Sequence, residues 1–207
     1  MKSSLRKKRS RKVDAILTFE QFYEIAEEKV ITDLLDGNIF IEPSPAPQHG
    51  FIVAWVQSVI SFFVEKFDLG EIFGATVAVR LTKYQGVEPD VFFICKQRLN
   101  IIGEFYVDGA PDLCVEVLSE SSRERDRGRK FVLYAEHGVK EYWIVDPLRL
   151  TIEFYENHDG EWVEIHPDTQ GRLYSKVLSG FWVKTEWFAS QTLPPVAKAL
   201  EEILGKM

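Results

Sequence analysis

The sequence has little cysteine and no long uninterrupted apolar run, and these two shortages exclude several classes of protein. Its 207 residues include two cysteines, Cys95 and Cys114, which do not form a CxxC pair. Both lie in apolar stretches typical of strands, so we interpret them as reduced, buried thiols rather than zinc ligands. The longest apolar stretch, residues 51–64, is interrupted by Gln57 and Ser61 and falls short of the ~20 residues that span a bilayer. We therefore expect a cytoplasmic protein without a membrane partner.

Basic residues are concentrated at the N-terminus, and the rest of the chain is strongly acidic. Residues 1–12 contain seven lysines and arginines and no acid, and no apolar segment of the kind found in secretory signals follows them. Because the whole chain has a formal net charge of −7, residues 13–207 carry −14. We predict a basic, flexible tail at residues 1–12 and a single domain at residues 13–207. Such a body is a poor non-specific partner for a polyanion, and the tail would offset this only locally.

Hydrophobic periodicity predicts helices alternating with groups of strands. The predicted helices cover residues 18–29, 48–67, 122–137 and 193–204. The predicted strands are a hairpin at 33–41, then 71–82, 87–95, 113–118, 142–145, 151–155 and 162–165. Continuous apolar strands around one crossover helix favour a sheet that is covered on both faces. We predict an α/β (α+β) fold with a mixed central β-sheet flanked by helices, including a β-α-β unit over residues 112–146.

Two acids open or interrupt apolar strands. Asp90 stands in the strand predicted at residues 87–95, and Glu116 lies inside the strand predicted at 113–118. An ionised carboxylate in such a strand must be paired, bind a cation or take up a proton. Two carboxylates with few other ligands suit Mg²⁺ or Mn²⁺, which keep several waters. The residues alone leave open whether the acids hold a metal or form buried ion pairs. The candidate ion-pair partners are Arg80, Arg127 and Lys130.

The helix predicted at residues 122–137 carries a lysine on the side expected to face the sheet. Four residues share one stripe of this helix, spaced i, i+3, i+4 and i+7: Lys130, Leu133, Tyr134 and His137. Because this helix directly follows the Glu116 strand, Lys130 could reach the acids from above. Asp126, one turn earlier, could pair with it. Spacing alone leaves an exposed lysine as the alternative.

Six segments of the chain, taken together, match the motifs of a known family. In order they are LLDGNIF, EPSPAPQHG, VEPDVFFI, GAPDLCVEVLSESS, DRGRKFVLYAEHGV and KEYWIVDP, and they fall within residues 18–165. With these segments the sequence resembles the Uma2 family, also called DUF820, of the PD-(D/E)XK nuclease superfamily. The resemblance implies a restriction-endonuclease-like core. It also implies an endonuclease that depends on Mg²⁺ (or Mn²⁺) and hydrolyses phosphodiester bonds, with DNA as the expected substrate.

The resemblance assigns catalytic roles by position. Asp90 and Glu116 would bind the metal, with the backbone carbonyl of Val117 as a further ligand. Lys130 would complete the catalytic set. The superfamily has this lysine two residues after the glutamate, where this chain has Leu118, and in Uma2-like sequences the lysine lies on the following helix.

Three further residues match supporting positions of the family. Asp33 stands where the family has glutamate, next to the Asp36-Gly37 turn, and would complete the acidic cluster. His49 and Tyr134 match recurrent family positions as well. Capping of a helix N-terminus and core packing are the alternative roles for these two residues.

The sequence therefore leaves three functions open. The first is the metal-dependent endonuclease. The second is a catalytically inactive nuclease-fold module used for binding or oligomerisation, favoured by the −14 body and by Leu118 in place of the strand lysine. The third is an enzyme for a small phosphoester or nucleotide. The aromatic C-terminal part would form either the interface of a homo-oligomer, such as a dimer, or ordinary core. Its members are Trp162, Phe181, Trp182, Trp187 and Phe188.

Overall fold

The computed structural model describes residues 11–13, 16–26, 33–41, 45–190 and 192–205 of the chain. Within them the strands are β1 (Arg11–Val13), β2 (Asp33–Leu35), β3 (Asn38–Ile41), β4 (Gly70–Gly74), β5 (Val79–Thr82), β6 (Gln85–Val87), β7 (Val91–Cys95), β8 (Val107–Asp108), β9 (Leu113–Val117), β10 (Glu141–Asp146), β11 (Thr151–His158), β12 (Glu161–Ile165), β13 (Arg172–Tyr174) and β14 (Trp182–Lys184). The α-helices are α1 (Phe19–Ala26), α2 (Pro47–Phe67), α3 (Arg123–Asp126), α4 (Arg129–Glu136), α5 (Thr185–Phe188) and α6 (Val196–Leu204), and a 3₁₀ helix spans Lys96–Ile101.

A six-stranded mixed sheet, here called the central sheet, carries the strand that contains Glu116. Its order is β12-β11-β10-β9-β7-β4, in which β9 and β10 are parallel and the other neighbours are antiparallel. The short helices α3 and α4 connect the two parallel strands, as predicted for the β-α-β unit. Helix α2 packs on one face of this sheet and α4 on the other. The predicted mixed central sheet flanked by helices is confirmed.

Alternation along β9 decides which helix each of its side chains meets. Leu113, Val115 and Val117 belong to the core beneath α2, whereas Cys114 belongs to the core beneath α4. Because successive side chains of a strand point to opposite faces, Glu116 points to the α4 face together with Cys114. The carboxylate therefore enters an otherwise apolar layer from the sheet side.

A second six-stranded sheet, in the order β1-β3-β2-β6-β5-β8, packs beside the first. The predicted hairpin is confirmed as β2 and β3, whose turn residues Asp36 and Gly37 have φ of 52° and 72°. Two residues with positive φ are what a type I′ hairpin turn requires. A capping box is present at the start of α1. Thr18 N donates to Gln21 Oε1 (3.0 Å) and Gln21 N donates to Thr18 Oγ1 (3.4 Å).

The two sheets are joined by a long hairpin whose strands cross from one sheet to the other. The prediction of single strands at 71–82 and 87–95 was wrong, because each divides between the sheets, as β4 and β5 and as β6 and β7. The first crossing contains Thr76, a β-branched residue with φ of 82°, which breaks the extended backbone. The second contains Pro89, which has no N–H for a ladder hydrogen bond. Ala75 N donates to Asp90 O (3.0 Å) and ties the two crossings together.

The helix predicted at residues 122–137 is divided in two, and this prediction was also wrong. Gly128 separates α3 from α4 with a φ of −116° and a ψ of −90°, outside the helical region. A Cβ atom at this position would lie 2.6 Å from the carbonyl oxygen of Glu124. The backbone approach at the break thus requires glycine, and it sets the direction in which α4 leaves α3.

The N-terminal predictions are only partly covered by the described residues. Residues 11 and 12, assigned to the tail, form part of β1, which pairs antiparallel with β3. Residues 1–10 of the predicted tail and residues 27–29 of the first predicted helix lie outside the described residues.

Helix α2 forms the centre of the larger core. Seven of its side chains are buried, and the C-terminal aromatics Phe181, Trp182, Trp187 and Phe188 pack in the same core. Their packing agrees with the core interpretation of the aromatic C-terminal part. By length and composition α2 is also the one helix within the described ranges that could cross a membrane. The sequence did not predict this property, because Gln57 and Ser61 interrupt the apolar run. The buried side chains of α2 are typical of a central core helix.

Candidate functional site

Asp90 and Glu116 lie close together at the end of the β7–β9 pairing. Val91, the first residue of β7, lies opposite Val115 of β9, and Asp90 immediately precedes β7. Both acids line one cavity, and the charge of Asp90 helps to raise the pKa of Glu116. The structure therefore brings together the two acids that the sequence singled out.

Glu116 is buried, with 3% of its surface exposed, and is held by two donors from α4. Lys130 Nζ lies 2.8 Å from Glu116 Oε1, and the Tyr134 hydroxyl donates to the same oxygen at 2.7 Å. Both donors come from the stripe of α4 that was expected to face the sheet. The alternative of an exposed lysine is excluded, because Lys130 is only 2% exposed.

Lys130 also contacts two further carboxylates. Its Nζ lies 3.2 Å from Asp33 Oδ1 and 3.7 Å from Asp126 Oδ1, and both acids are buried. Asp33 also contacts a second cation, because Arg125 Nε lies 2.8 Å from Asp33 Oδ2. Asp126 lies one helical turn before the lysine, as the spacing predicted.

Asp90 is held from the side of α2. His49 Nε2 lies 3.2 Å from Asp90 Oδ2, and the backbone N–H of Val117 donates to that oxygen at 2.8 Å. Burial opposes protonation of His49, but the hydrogen bond and charge of Asp90 raise the pKa of the imidazole above its usual value. No side chain caps the N-terminus of α2, so His49 does not take the capping role considered for it.

Glu88 is a member of the site to which the sequence analysis assigned no role. Burial, followed by the charge of Asp33, raises the pKa of Glu88 to about 8, against the opposing charge of Lys130. Arg125, the partner of Asp33, was also missed. The signal available for Glu88 was Pro89, since a proline in a predicted central strand marks an interruption and places the neighbouring residues in a bend.

The site holds more carboxylates than cations. The acids, here called the acid cluster, are Asp33, Glu88, Asp90, Glu116 and Asp126. Burial and the neighbouring acids raise the pKa of Glu116 to about 8, against the opposing charge of Lys130. Burial raises the pKa of Asp126 to about 6. Burial alone would lower the pKa of Lys130, but Asp33, Glu116 and Asp126 raise it, so the lysine stays charged.

A cavity of about 620 Å³ opens over this cluster. Glu88, Asp90, Glu116, Val117 and Lys130 line it, whereas Asp33 does not. Its rim is formed by the N-terminus of α2, the first strand crossing, the residues between β9 and α3, and the turn after β10. The strand crossings therefore place Glu88 and Asp90 at the cavity instead of continuing the sheet across it.

The donor set fits a small oxygen-preferring cation. The hydrogen bonds described above use one oxygen of each acid, and in the described part of the chain Asp90 Oδ1 and Glu116 Oε2 have no hydrogen-bond partner. Among the same residues, no three Asp, Glu, His or Cys side chains are grouped closely enough to enclose an ion. Two carboxylates and one backbone carbonyl, with water at the remaining positions, are a set that Mg²⁺ accepts and that Zn²⁺ structural sites do not use.

Comparison with known proteins places the whole site inside one family match. The family model Uma2, described as "Putative restriction endonuclease", matches residues 19–186. The matched part includes every residue of the acid cluster and also His49, Lys130 and Tyr134.

Two individual proteins are similar to the chain over most of its length. The "Uncharacterized protein slr1290" of Synechocystis sp. (strain PCC 6803) is 29% identical over 149 residues, which cover 70% of this chain and 77% of that protein. A crystal structure described as a putative nuclease belonging to DUF820, from Anabaena variabilis ATCC 29413, matches with a TM-score of 0.69 at 19% identity. The match covers 84% of this chain and 98% of that one. At this identity the likeness shows a shared fold.

Proposed function

Because the chain belongs to the Uma2 (DUF820) family, we propose that it is a metal-dependent endonuclease of the PD-(D/E)XK type, using Mg²⁺ or Mn²⁺ and acting on DNA. The observation that carries the proposal is the pair of carboxylates at the cavity, Glu116 on β9 and Asp90 immediately before β7. Both line the cavity, and each has an oxygen without a partner in the described structure.

The neighbours of the two acids fix which oxygen is offered to a cation. Lys130 and Tyr134 both bind Glu116 Oε1, which leaves Oε2 for the metal. His49 and the Val117 N–H both bind Asp90 Oδ2, which leaves Oδ1. These four contacts hold the ligands in place before a cation binds, so little reorganisation is needed on binding.

The same residues favour a phosphate beside the cation. A bound Mg²⁺ would polarise the phosphate and lower the pKa of a coordinated water. Lys130 keeps a positive charge next to the place where negative charge develops in phosphodiester hydrolysis, and a fixed charge of this kind stabilises the transition state. The first turn of α2, which has no side-chain cap, adds backbone N–H groups that attract an anion.

Plasmid nicking tests the proposal. Wild-type protein is incubated with supercoiled plasmid and Mg²⁺ or Mn²⁺, alongside Asp90→Asn and Glu116→Gln, which keep the size of each side chain. We expect nicking to fall at least about 100-fold in both variants, because each loses a charged metal ligand. Glu161→Gln, an exposed acid on β12, is the control and keeps full activity. Equal nicking by all four proteins would show that a contaminant cuts the plasmid.

An inactive nuclease-fold module remains the second candidate, and the bonding of Lys130 favours it. The lysine is held by Glu116 and Asp33, and Leu118 occupies the superfamily position of the strand lysine. Titration calorimetry with Mn²⁺ separates the two functions. An enzyme binds Mn²⁺ at one site and loses it in Glu116→Gln, whereas a module without a metal site shows no binding heat in either protein.

A further inference from the structure

The cavity over the acid cluster combines apolar walls with a recessed, charged floor. Its apolar lining residues include Ala46, Ala75, Leu118, Pro147 and Leu148. On the floor, Glu116 is only 3% exposed. The volume of about 620 Å³ lies within the range of pockets that enclose a single small ligand. A phosphate can approach the floor only if the chain that carries it bends into the cavity.

The charges of the cavity act against a DNA duplex. Its basic lining residues are Arg125, Lys130 and His49, and each is already in contact with a carboxylate. A duplex carries one negative charge per ~1.7 Å of its axis and stays straight over lengths of about 150 base pairs. A single strand has a lower charge density and bends at every nucleotide. The recess therefore favours the single strand on both counts.

A rigid turn at the rim presents an apolar side chain to whatever lies in the cavity. This rim turn, residues 147–150, connects β10 to β11. Asp146 Oδ1 accepts hydrogen bonds from the backbone N–H groups of Leu148 (3.1 Å) and Arg149 (3.0 Å). Asp146 itself is fully buried and is gripped by both terminal nitrogens of Arg123, with Arg123 Nη2 2.7 Å from Asp146 Oδ1.

The rim turn holds Leu148 away from the core. The leucine is 71% exposed although it lines the cavity. The next residue, Arg149, has its Nε 3.9 Å from Asp146 Oδ2, and its side chain is also 71% exposed. Exposed leucine on a flexible loop would fold back onto the apolar wall, but the hydrogen bonds to Asp146 fix its backbone. An apolar side chain followed by an arginine suits a nucleotide, whose base offers an apolar face and whose next phosphate attracts a cation.

We propose that the cavity receives one unpaired nucleotide of a single strand or a flap, with its base packed against Leu148 and its phosphate directed to Asp90 and Glu116. This substrate class rests on the proposed function, because it assumes that phosphodiester bonds are the target. The rim turn then selects unpaired over paired DNA, since a base inside a duplex is stacked and cannot reach the leucine.

The test measures binding and cleavage separately. Fluorescence anisotropy, with Ca²⁺ in place of Mg²⁺, gives the affinity for a labelled single strand, for the same strand in a perfect duplex, and for a duplex that ends in an unpaired flap. The proteins are wild type, Leu148→Ala, Leu148→Phe and the control Val163→Ala. Val163 is a 50% exposed apolar residue of β12 that does not line the cavity.

We expect the single strand and the flap to bind at least tenfold more tightly than the duplex at the same salt concentration. Leu148→Ala weakens binding of the single strand about fivefold, because the leucine loses apolar surface that it buries against the base. Leu148→Phe keeps the wild-type affinity for the single strand, and Val163→Ala leaves the affinity for all three DNAs unchanged. With Mg²⁺ or Mn²⁺ the cuts map to unpaired nucleotides of the flap.

Two results would overturn the proposal: duplex bound as tightly as single strand, or Leu148→Ala indistinguishable from wild type on the single strand. Absence of binding to all three DNAs overturns it as well. Failure of the proposed nuclease function has a different signature. In that case the preference for unpaired DNA and its dependence on Leu148 persist, but cleavage is absent or survives in Glu116→Gln.

Discussion

At the scale of single residues, Lys130 sets the charge balance of the site. Its Nζ meets Glu116, Asp33 and Asp126, and all four groups are buried. Removing one partner from a buried ionic cluster leaves charge without compensation, which costs more than the cluster contributes when it is complete. The lysine therefore stabilises the fold as well as holding Glu116 in position.

Replacement of Lys130 by methionine tests this role. We expect Lys130→Met to lower the free energy of unfolding by about 3–5 kcal/mol near pH 8, measured by urea titration. Lys140→Met is the matched control. Lys140 also contacts a buried carboxylate, Asp112, but is 58% exposed, and Asp112 keeps Arg98 as a partner. The control should lose no more than about 1 kcal/mol.

The loss of stability caused by Lys130→Met should also depend on pH. Glu116 has an ordinary pKa of 4.5 and a raised one of about 8 in the folded protein, so the unfolded chain releases this proton first as the pH rises. In the wild type, stability is then lost between about pH 5 and pH 8. Without Lys130 the pKa of Glu116 moves higher still, so the loss continues above pH 8 and the deficit of Lys130→Met should grow there. A deficit that is constant with pH would contradict the assignment of the lysine as the counter-charge of Glu116.

Residue types and burial patterns could predict the central members of the site, but not all of it. Asp90 and Glu116 were recognisable because charged residues in apolar strands are costly, and Lys130 because it shares a stripe with Leu133 and Tyr134. Arg125 has no such signal, since it stands between Glu124 and Asp126 and fits an exposed position equally well, and the signal for Glu88 is limited to the neighbouring Pro89. Their places depend on how two distant segments pack.

At the scale of secondary structure elements, the interruptions position the functional groups. The strand crossings bring Glu88 and Asp90 to the cavity, and the break at Gly128 directs α4 so that Lys130 reaches Glu116. Periodicity predicted these elements as continuous, because the apolar pattern runs through each break. Positive φ at Thr76 and the tight approach at Gly128 are tertiary features that the pattern does not contain.

Substitution of Gly128 by alanine tests the importance of the break between α3 and α4. The new Cβ atom would lie 2.6 Å from the Glu124 carbonyl oxygen, so the backbone must shift. We expect Gly128→Ala to destabilise the protein by about 1–3 kcal/mol and to weaken Mn²⁺ binding. Gly50→Ala is the matched control, because its Cβ meets nothing within 4 Å on an exposed part of α2. It should stabilise by about 0.5–1 kcal/mol. If both variants behave alike, the approach at Gly128 does not constrain α4.

At the scale of the whole molecule, the net charge of the protein opposes binding of the substrate that we propose for its fold. The body of the protein carries −14, whereas the proposed substrate is a polyanion. Five of the seven tail cations belong to residues 1–10, ahead of β1. We propose that these cations supply the long-range attraction to DNA, while the cavity supplies the selection of the unpaired nucleotide.

Removal of residues 1–10 tests this division of roles. The truncated protein should bind single-stranded DNA more weakly at low salt, and the slope of log K against log salt should become shallower by about 0.7 for each cation that contacted a phosphate. Replacement of the same five cations by glutamine should reproduce the effect, which separates charge from chain length. An unchanged slope in both proteins would show that the tail makes no phosphate contacts. The preference for flap over duplex should survive in either protein.

The crossing of the hairpin between the two sheets also has a consequence for the order of folding. Asp33 lies in one sheet, Glu116 in the other, and Lys130 on the helix that follows, so the contacts of the lysine span nearly a hundred positions of the chain. Contacts of such high sequence separation form only after the intervening loops have closed. A growing chain on the ribosome therefore cannot give Lys130 its carboxylate partners before α4 has been synthesised and both sheets have docked. The charge balance around Glu116 is therefore completed late in folding.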